Sequence, residues 1–398
     1  MRMKSILPAL AFAAALALSS GCGTNHHQKD KNRAQQHWGR ARANVMHALA
    51  KDQYSTGNFD PARKTVNDAI ALDPNHGPLR VLSAKLAIES GQLELADKEL
   101  AAARKINPKD AEADYLSGVV YQRWQKHETA LDYYVAAADK APEELAYILA
   151  RSEMLVVMGR HEEALRLLQA KVVYFEHSAV IRDAVGQLLV QFKKYDEAAE
   201  VLRQASILDT RDMTIQEHLA LALFFGKQYR EAIDPLRKLL ATEPYAKRAD
   251  LHSALGQCLM EIHKLREARQ SFETAVQLDP QGSGNWLALA RVALQQNDLP
   301  RAELSLRRAI ALDPARGESR LLLGYLRLRQ NKHQEALANF QRAAALDNAD
   351  TVSLCMTGYA LQKLGRTEEA IKYYAQALKI KPGDEMAARM MASVDMND

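Results

Sequence analysis

Alanine returns every 34 residues through most of this chain. It stands at Ala62, Ala96, Ala130, Ala164, Ala198 and Ala232 and, after a single interval of 36, at Ala268, Ala302, Ala336 and Ala370. A second series follows seven residues later: Ala69, Ala103, Ala137, Ala205, Ala275, Ala309, Ala343 and Ala377, with Lys171 and Leu239 in the two remaining frames. Proline closes most frames twelve residues after the first alanine, at Pro74, Pro108, Pro142, Pro244, Pro280, Pro314 and Pro382. Twelve residues before that alanine the residue is always small: Ala50, Ala84, Gly118, Ser152, Gly186, Ala220, Gly256, Ala290, Gly324 and Gly358. A short fixed period excludes a core assembled from distant segments. Each frame has to be one supersecondary unit that buries its apolar face against the next.

Composition decides what that unit is made of. Only 18 Gly and 12 Pro interrupt 398 residues, and Ala, Leu, Glu, Lys, Arg and Gln dominate, which are strong helix formers. Within a frame, apolar residues recur at helical spacing, as in Trp286, Leu289, Ala290 and Ala293. A turn such as Gly91-Gln92 or Gly365-Arg366 ends a first helix. Acidic pairs such as Glu162-Glu163 and Glu368-Glu369 then open a second helix, where they complement the positive end of its dipole. Proline ends the second helix by pushing its predecessor out of the α region. The small sites fall on both helices, where a side chain would hold two backbones apart. The fold class is therefore all-α.

This pattern is similar to that of the tetratricopeptide repeat family. Frame 8, Trp286…Leu289-Ala290…Ala302…Leu306…Ala309…Pro314, and frame 10, Gly358-Tyr359…Gly365…Ala370…Tyr374…Ala377…Pro382, carry the resemblance most fully. Ten repeats run from residue 43 to 384, followed by a capping helix over 385–398. The resemblance implies a right-handed superhelical solenoid of antiparallel helix pairs, with first helices lining a concave face. Two frames depart from it. Repeat 4 has Lys171 for the second alanine, Glu176 for the proline and the apolar run Val172-Val173-Tyr174-Phe175, so its second helix should pack more loosely or run longer. Repeat 6 carries Pro235 inside its second helix, where a kink is expected, and then the two-residue insertion.

The N-terminus has an address. Arg2 and Lys4 precede the apolar run 6–18, broken only by Pro8, and then Ser19-Ser20-Gly21-Cys22. That order matches a secretory signal peptide over residues 1–21, and 13 apolar residues are too few to span a bilayer, which takes about 20. Leu18-Ser19-Ser20-Gly21-Cys22 resembles a bacterial lipoprotein signal, although Ser19 stands where the family prefers Leu. The resemblance implies lipid attachment at Cys22 and, from Gly23 after it, an outer-membrane location facing the periplasm. Residues 22–42 read as a polar tether, and His26, His27 and His37 within it have no carboxylate or cysteine at ligand spacing.

Chemistry is absent from the pattern. Gly282-Ser283-Gly284 starts a Gly-x-Gly but Leu287 occupies the third glycine site, and neither a phosphate-binding loop nor His-Glu-x-x-His occurs. His127, His161 and His333 share one repeat position, filled elsewhere by Phe59, Tyr195 and Leu265, and so read as packing residues. Cys258 and Cys355 lie nearly three repeats apart and should be free thiols in the core. No enzyme, cofactor or metal is expected. Lys+Arg 53 against Asp+Glu 49, with the signs interspersed, offers no footprint for nucleic acid.

What remains is a binding surface. If the family geometry holds, positions 5, 9 and 12 of each first helix face the groove. They are largely apolar, with Val81, Tyr115, Val119, Leu149, Val156, Leu221, Phe224, Leu287, Leu321, Tyr325 and Tyr359 as the candidate partner-binding residues. Lys85, Glu153, Gln187, Gln257 and Arg291 are scattered among them. An apolar stripe of this length fits an extended peptide or an amphipathic helix of a protein partner. The family's carboxylate clamp is not matched, because Val81, Lys85, Tyr115 and Val119 hold the corresponding places. A regulatory or substrate-presenting subunit of an envelope glycosyltransferase or peptidase complex, and a plain spacer, are the competing readings.

Overall fold

The computed structural model describes residues 9–395, with side chains from Lys29 to Val394. Among the described residues every regular element is helical. The chain divides into two compact units, one through Glu176 and one from His177. In the first, α1 (Ala9–Ser55) pairs with α2 (Phe59–Leu72), α3 (Gly77–Glu89) with α4 (Leu93–Ile106), α5 (Ala111–Arg123) with α6 (His127–Lys140), and α7 (Leu145–Val157) with α8 (His161–Val172). In the second, the pairs are α9 (Ala179–Gln191) with α10 (Tyr195–Leu208), α11 (Met213–Phe225) with α12 (Tyr229–Leu240), and α13 (Ala249–Glu261) with α14 (Leu265–Leu278). They continue as α15 (Ser283–Gln295) with α16 (Leu299–Leu312), α17 (Gly317–Arg329) with α18 (His333–Leu346), and α19 (Thr351–Lys363) with α20 (Thr367–Ile380). The helix α21 (Glu385–Asp395) closes the second unit on α19 and α20.

The periodic alanines are the floor of each pair: Ala62, Ala96, Ala130, Ala164, Ala198, Ala232, Ala268, Ala302, Ala336 and Ala370 are all 0% exposed. The small site on the first helix has a partner 16 residues later on the second, and the two are matched in size. A Cβ on Gly118 would stand 2.5 Å from the Tyr134 ring, on Gly358 2.5 Å from Tyr374, and on Gly256 2.8 Å from Phe272. Gly324 against Phe340 and Gly186 against Leu202 are closer still. Where the small residue keeps a methyl or hydroxymethyl, as Ala84, Ser152, Ala220 and Ala290 do, the partner is the smaller Leu100, Leu168, Leu236 or Leu306. Eight of the ten pairs keep a similar combined volume, while Gly186 with Leu202 and Ala50 with Val66 are smaller.

The turn inside each pair places one residue in the left-handed region. Gly57, Gly91, Gly159 and Gly365 occupy it at φ 71–77°, but Gln125, Lys193, Lys227, His263, Asn297 and Asn331 do so in the other six frames at φ 57–62°. The links between pairs are closed by side-chain caps, as where Asp110 accepts from the Ala113 amide at 3.1 Å and Asp350 from that of Val352 at 3.0 Å.

Three features of the sequence take the following form. The backbone of segment 22–42 is helical and continuous with α1, whose residues 24–38 contain no Gly or Pro to stop a helix. Gly39 sits where a Cβ would meet the Leu72 carbonyl oxygen at 2.9 Å, so α1 grazes the end of α2 there. The second helix of repeat 4 packs more loosely, as one of the two expectations had it, and does not run longer: α8 has 12 residues against 14 in its counterparts α2, α4 and α6. Lys171 cannot be buried as alanine is, and Val173 and Tyr174 emerge 70% and 78% exposed. Pro235 lies inside α12, which continues to Leu240 and is followed by a 3-10 turn over Tyr245–Lys247 that absorbs the insertion. The signal peptide 1–21 and Cys22 lie outside the described side chains. Among the described residues no helix is long and apolar enough to cross a membrane.

Candidate partner-binding groove

Each unit carries its own stretch of the first-helix face. In the first unit Tyr115 is half-buried, stacked on Tyr147 with centroids 4.8 Å apart and tilted against Tyr134 at 5.7 Å. Val119 packs beside it on the core, and Leu149 and Val156 stay partly open on the next first helix. The polar residues on this face spend themselves on one another. Tyr134 Oη donates to Gln122 at 2.5 Å, Gln122 donates to Glu153 at 3.3 Å, and Lys85 reaches Glu112 of the following repeat at 2.5 Å. Burial and the nearby Glu112 push the Tyr147 hydroxyl up to about 12, so it stays a neutral donor.

Three residues of this face escaped the sequence reading, which began the groove at repeat 2. His47, Lys51 and Tyr54 hold positions 5, 9 and 12 of repeat 1, and with Val81, Leu82 and Lys85 they line a pocket of about 310 Å³. The 34-residue frame, carried back one period from Val81, Lys85 and Ile88, would have found them. Tyr147 was missed because it lies at position 3, which is buried in most other frames.

In the second unit Leu221 and Phe224 line a cleft of about 530 Å³ together with Phe225, Ser253, Ala254, Gln257 and the opening turn of α15. Tyr325 meets the Phe340 ring edge-on at 5.5 Å, and Leu321 and Tyr359 lie partly buried on the same core. Charges are again self-paired: Arg248 holds Glu217 and Asp250, each at 2.5 Å, Arg291 pairs with Glu318, and His218 with Asp183 at 2.7 Å. The hydrogen bond to Asp183 raises the His218 pKa, with burial opposing it. Two of the groove residues lie deeper than the rest: Val81 and Leu287 are 3% and 2% exposed and belong to the core clusters, although Val81 still borders the pocket around His47.

The candidate chemistry of the remaining groups is modest. Burial pushes the Cys258 thiol up to about 12 and that of Cys355 up to about 11, so neither is a thiolate at neutral pH. Both are free. His127, His161 and His333 open α6, α8 and α18 half-buried, in the slot their shared repeat position indicated. Among the described residues no group of three or more His, Cys, Asp or Glu is placed to hold a metal ion. The face can bind and orient; what it offers is apolar surface edged by satisfied polar groups.

Sequence models of the tetratricopeptide repeat match residues 53–118, 184–247, 249–281, 287–351 and 352–384, well over half of the chain. The chain belongs to the tetratricopeptide repeat family. This tetratricopeptide repeat chain is also 25% identical, over 122 residues, to tetratricopeptide repeat protein 21A of Mus musculus, a match that takes in 31% of this chain and 9% of that protein. It thus spans less than a tenth of the length of the curated relative it matches. Among solved structures it is similar to the Cut9–Hcn1 hetero-tetramer of the APC/C, at 14% identity over 93% of this chain and 95% of that one, with a TM-score of 0.46. Pseudomonas aeruginosa pilF is similar at 20% identity over 54% and 97%, TM-score 0.45, and yeast Tom70 at 14% over 89% and 88%, TM-score 0.43.

Proposed function

We propose that this tetratricopeptide repeat chain is a non-catalytic scaffold of the bacterial cell envelope that holds a peptide or helix of a partner protein on its first-helix face. The observation that carries the reading is the cleft around Leu221 and Phe224: half-buried apolar side chains stay open on the face where neighbouring polar groups have already paired with one another. Apolar surface left open in this way is a partner site more often than a defect. The envelope location rests on the N-terminal signal and on Cys22, which would tether the scaffold by its lipid without a spanning helix. An assembly factor for a pilus, a secretion machine or a polysaccharide exporter is the role that fits. The regulatory-subunit reading differs only in requiring a catalytic partner.

The test is affinity capture from detergent-solubilised envelope, read by mass spectrometry, with Leu221→Glu/Phe224→Glu beside the parent chain. Two carboxylates in the cleft should abolish capture of a stoichiometric partner while circular dichroism stays helical. Capture that survives the double substitution removes the cleft from the partner site.

A further inference from the structure

The 530 Å³ cleft lies at a repeat junction where two facing positions leave space unfilled. Position 9 of a first helix faces position 2 of the next first helix, 27 residues on. At two junctions those positions hold an ion pair, Lys85 with Glu112 and Arg291 with Glu318, which fills the space between the helices. At the junction between repeats 7 and 8 the same two positions are Gln257 and Gly284. Gln257 donates only within its own helix, to Glu261 at 3.5 Å, and Gly284 has no side chain to bring. A Cβ there would find its nearest neighbour, Arg316 Nη1, at 3.6 Å, so the gap is room that packing did not require.

The chemistry at the rim is specific. Gly282, just before α15, is overhung by the Asp279 carboxylate and by the Asn285 amide, which would stand 2.8 Å from a Cβ at that position. Both side chains line the cleft, and neither makes a hydrogen bond or ion pair to the described residues. The second carboxylate of the lining, Asp250, is held by Arg248. No lysine or arginine is among the lining residues, although Arg316 Nη1 stands beside Gly284 at the edge. An unpaired carboxylate beside the apolar floor of Leu221 and Phe224 calls for a cation next to an apolar group.

We propose that the occupant of this cleft is a segment of a partner protein that seats a Leu or Phe side chain on Leu221 and Phe224 and lays an adjacent Arg or Lys on Asp279. The assignment rests on the groove reading above and adds the chemistry of the ligand. Arginine suits the rim better than lysine, because a planar guanidinium can donate twice to the Asp279 carboxylate. An acidic segment would meet Asp279 and Asp250 and be repelled.

The probe is an array of capped octapeptides with randomised sequence, read with the full chain. The selected peptides should carry Arg or Lys within a few residues of Leu or Phe. Asp279→Asn should weaken those peptides about ten-fold or more, and leave unchanged the weaker binding of the same peptides with the cation replaced by alanine. Gln257→Lys/Gly284→Glu, which rebuilds the ion pair of the other junctions inside the cleft, should remove binding of both sets. Selection of acidic or uncharged peptides, or indifference to Asp279→Asn, overturns the cation assignment; if the rebuilt pair still removes binding, the groove reading survives that failure. Binding that ignores the rebuilt pair, or an array that selects nothing, overturns the occupant altogether, and partner capture by the Leu221→Glu/Phe224→Glu chain then decides the groove separately.

Discussion

Repeats 8 and 9 are neighbours in the second unit with the same helix lengths and the same turn, yet they close differently. In repeat 8 Ala290 on α15 meets Leu306 on α16; in repeat 9 Gly324 on α17 meets the ring of Phe340 on α18. The volumes sum to the same gap, so the distance between helices is set by the pair and not by either residue. A consensus read one position at a time misses this, because Ala and Gly look interchangeable until the residue 16 positions later is read with them.

The largest effect should come from breaking the tighter closure. Gly324→Ala drives a methyl into the Phe340 ring and should cost about 1–3 kcal/mol, measured by urea denaturation. Adding Phe340→Leu recreates the closure of repeat 8 and should recover most of that loss; a double mutant no better than the single one would show that the two sites are not a matched pair. An intermediate effect is expected where the two repeats are tied together. Arg327, 4% exposed, binds Glu303 at 2.8 Å and Glu335 at 2.7 Å. The Arg327 hydrogen bonds hold the Glu303 carboxyl down at about 2, with burial opposing and Arg307 assisting. A carboxylate depressed in this way contributes stability that is fully present above its unfolded value, about 4.3, and is lost as pH falls toward 2. Stability measured between pH 5 and pH 2.5 should therefore fall less steeply in Glu303→Gln than in the parent, and parallel curves would refute the assignment.

The smallest effect concerns what both repeats share. Asn297 and Asn331 sit at φ 62° and 58° in the turns of repeats 8 and 9, and His263 at 61° in repeat 7. Glycine takes that conformation without strain, so His263→Gly should raise stability by about 0.5–1 kcal/mol and Asn331→Gly by less, since asparagine already tolerates it. The ordering of the two gains in thermal melts is the check.

Much of this architecture was legible in advance for a physical reason. A 34-residue unit meets its neighbour through the same few positions each time, so Ala62 and its nine successors report one environment ten times over. The departures were legible as departures but not in their outcome. Lys171 and Glu176 announced that repeat 4 differs, while the shortening of α8 and the exposure of Tyr174 follow from what neighbouring side chains fail to cover. The candidate site was legible in part. Tyr115, Leu149, Leu221, Phe224 and Tyr325 were expected on the groove face from the geometry of the tetratricopeptide repeat family, and each is half-buried. Val81 and Leu287 share position 5 with Tyr115 and Leu149, but the depth of a position depends on the next repeat and not on its own helix.

The sequence alone determined the all-helical class, the register of ten helix pairs and the absence of a recognised catalytic motif, because each of these follows from local spacing. Tertiary structure alone decided where space was left. The cleft is lined by Gln257 and Gly284, two residues 27 apart that leave the space between them unfilled, and the Asp279 carboxylate in its lining makes no ion pair with the described residues. Spacing states which residues face one another; only the packed chain settles whether they touch.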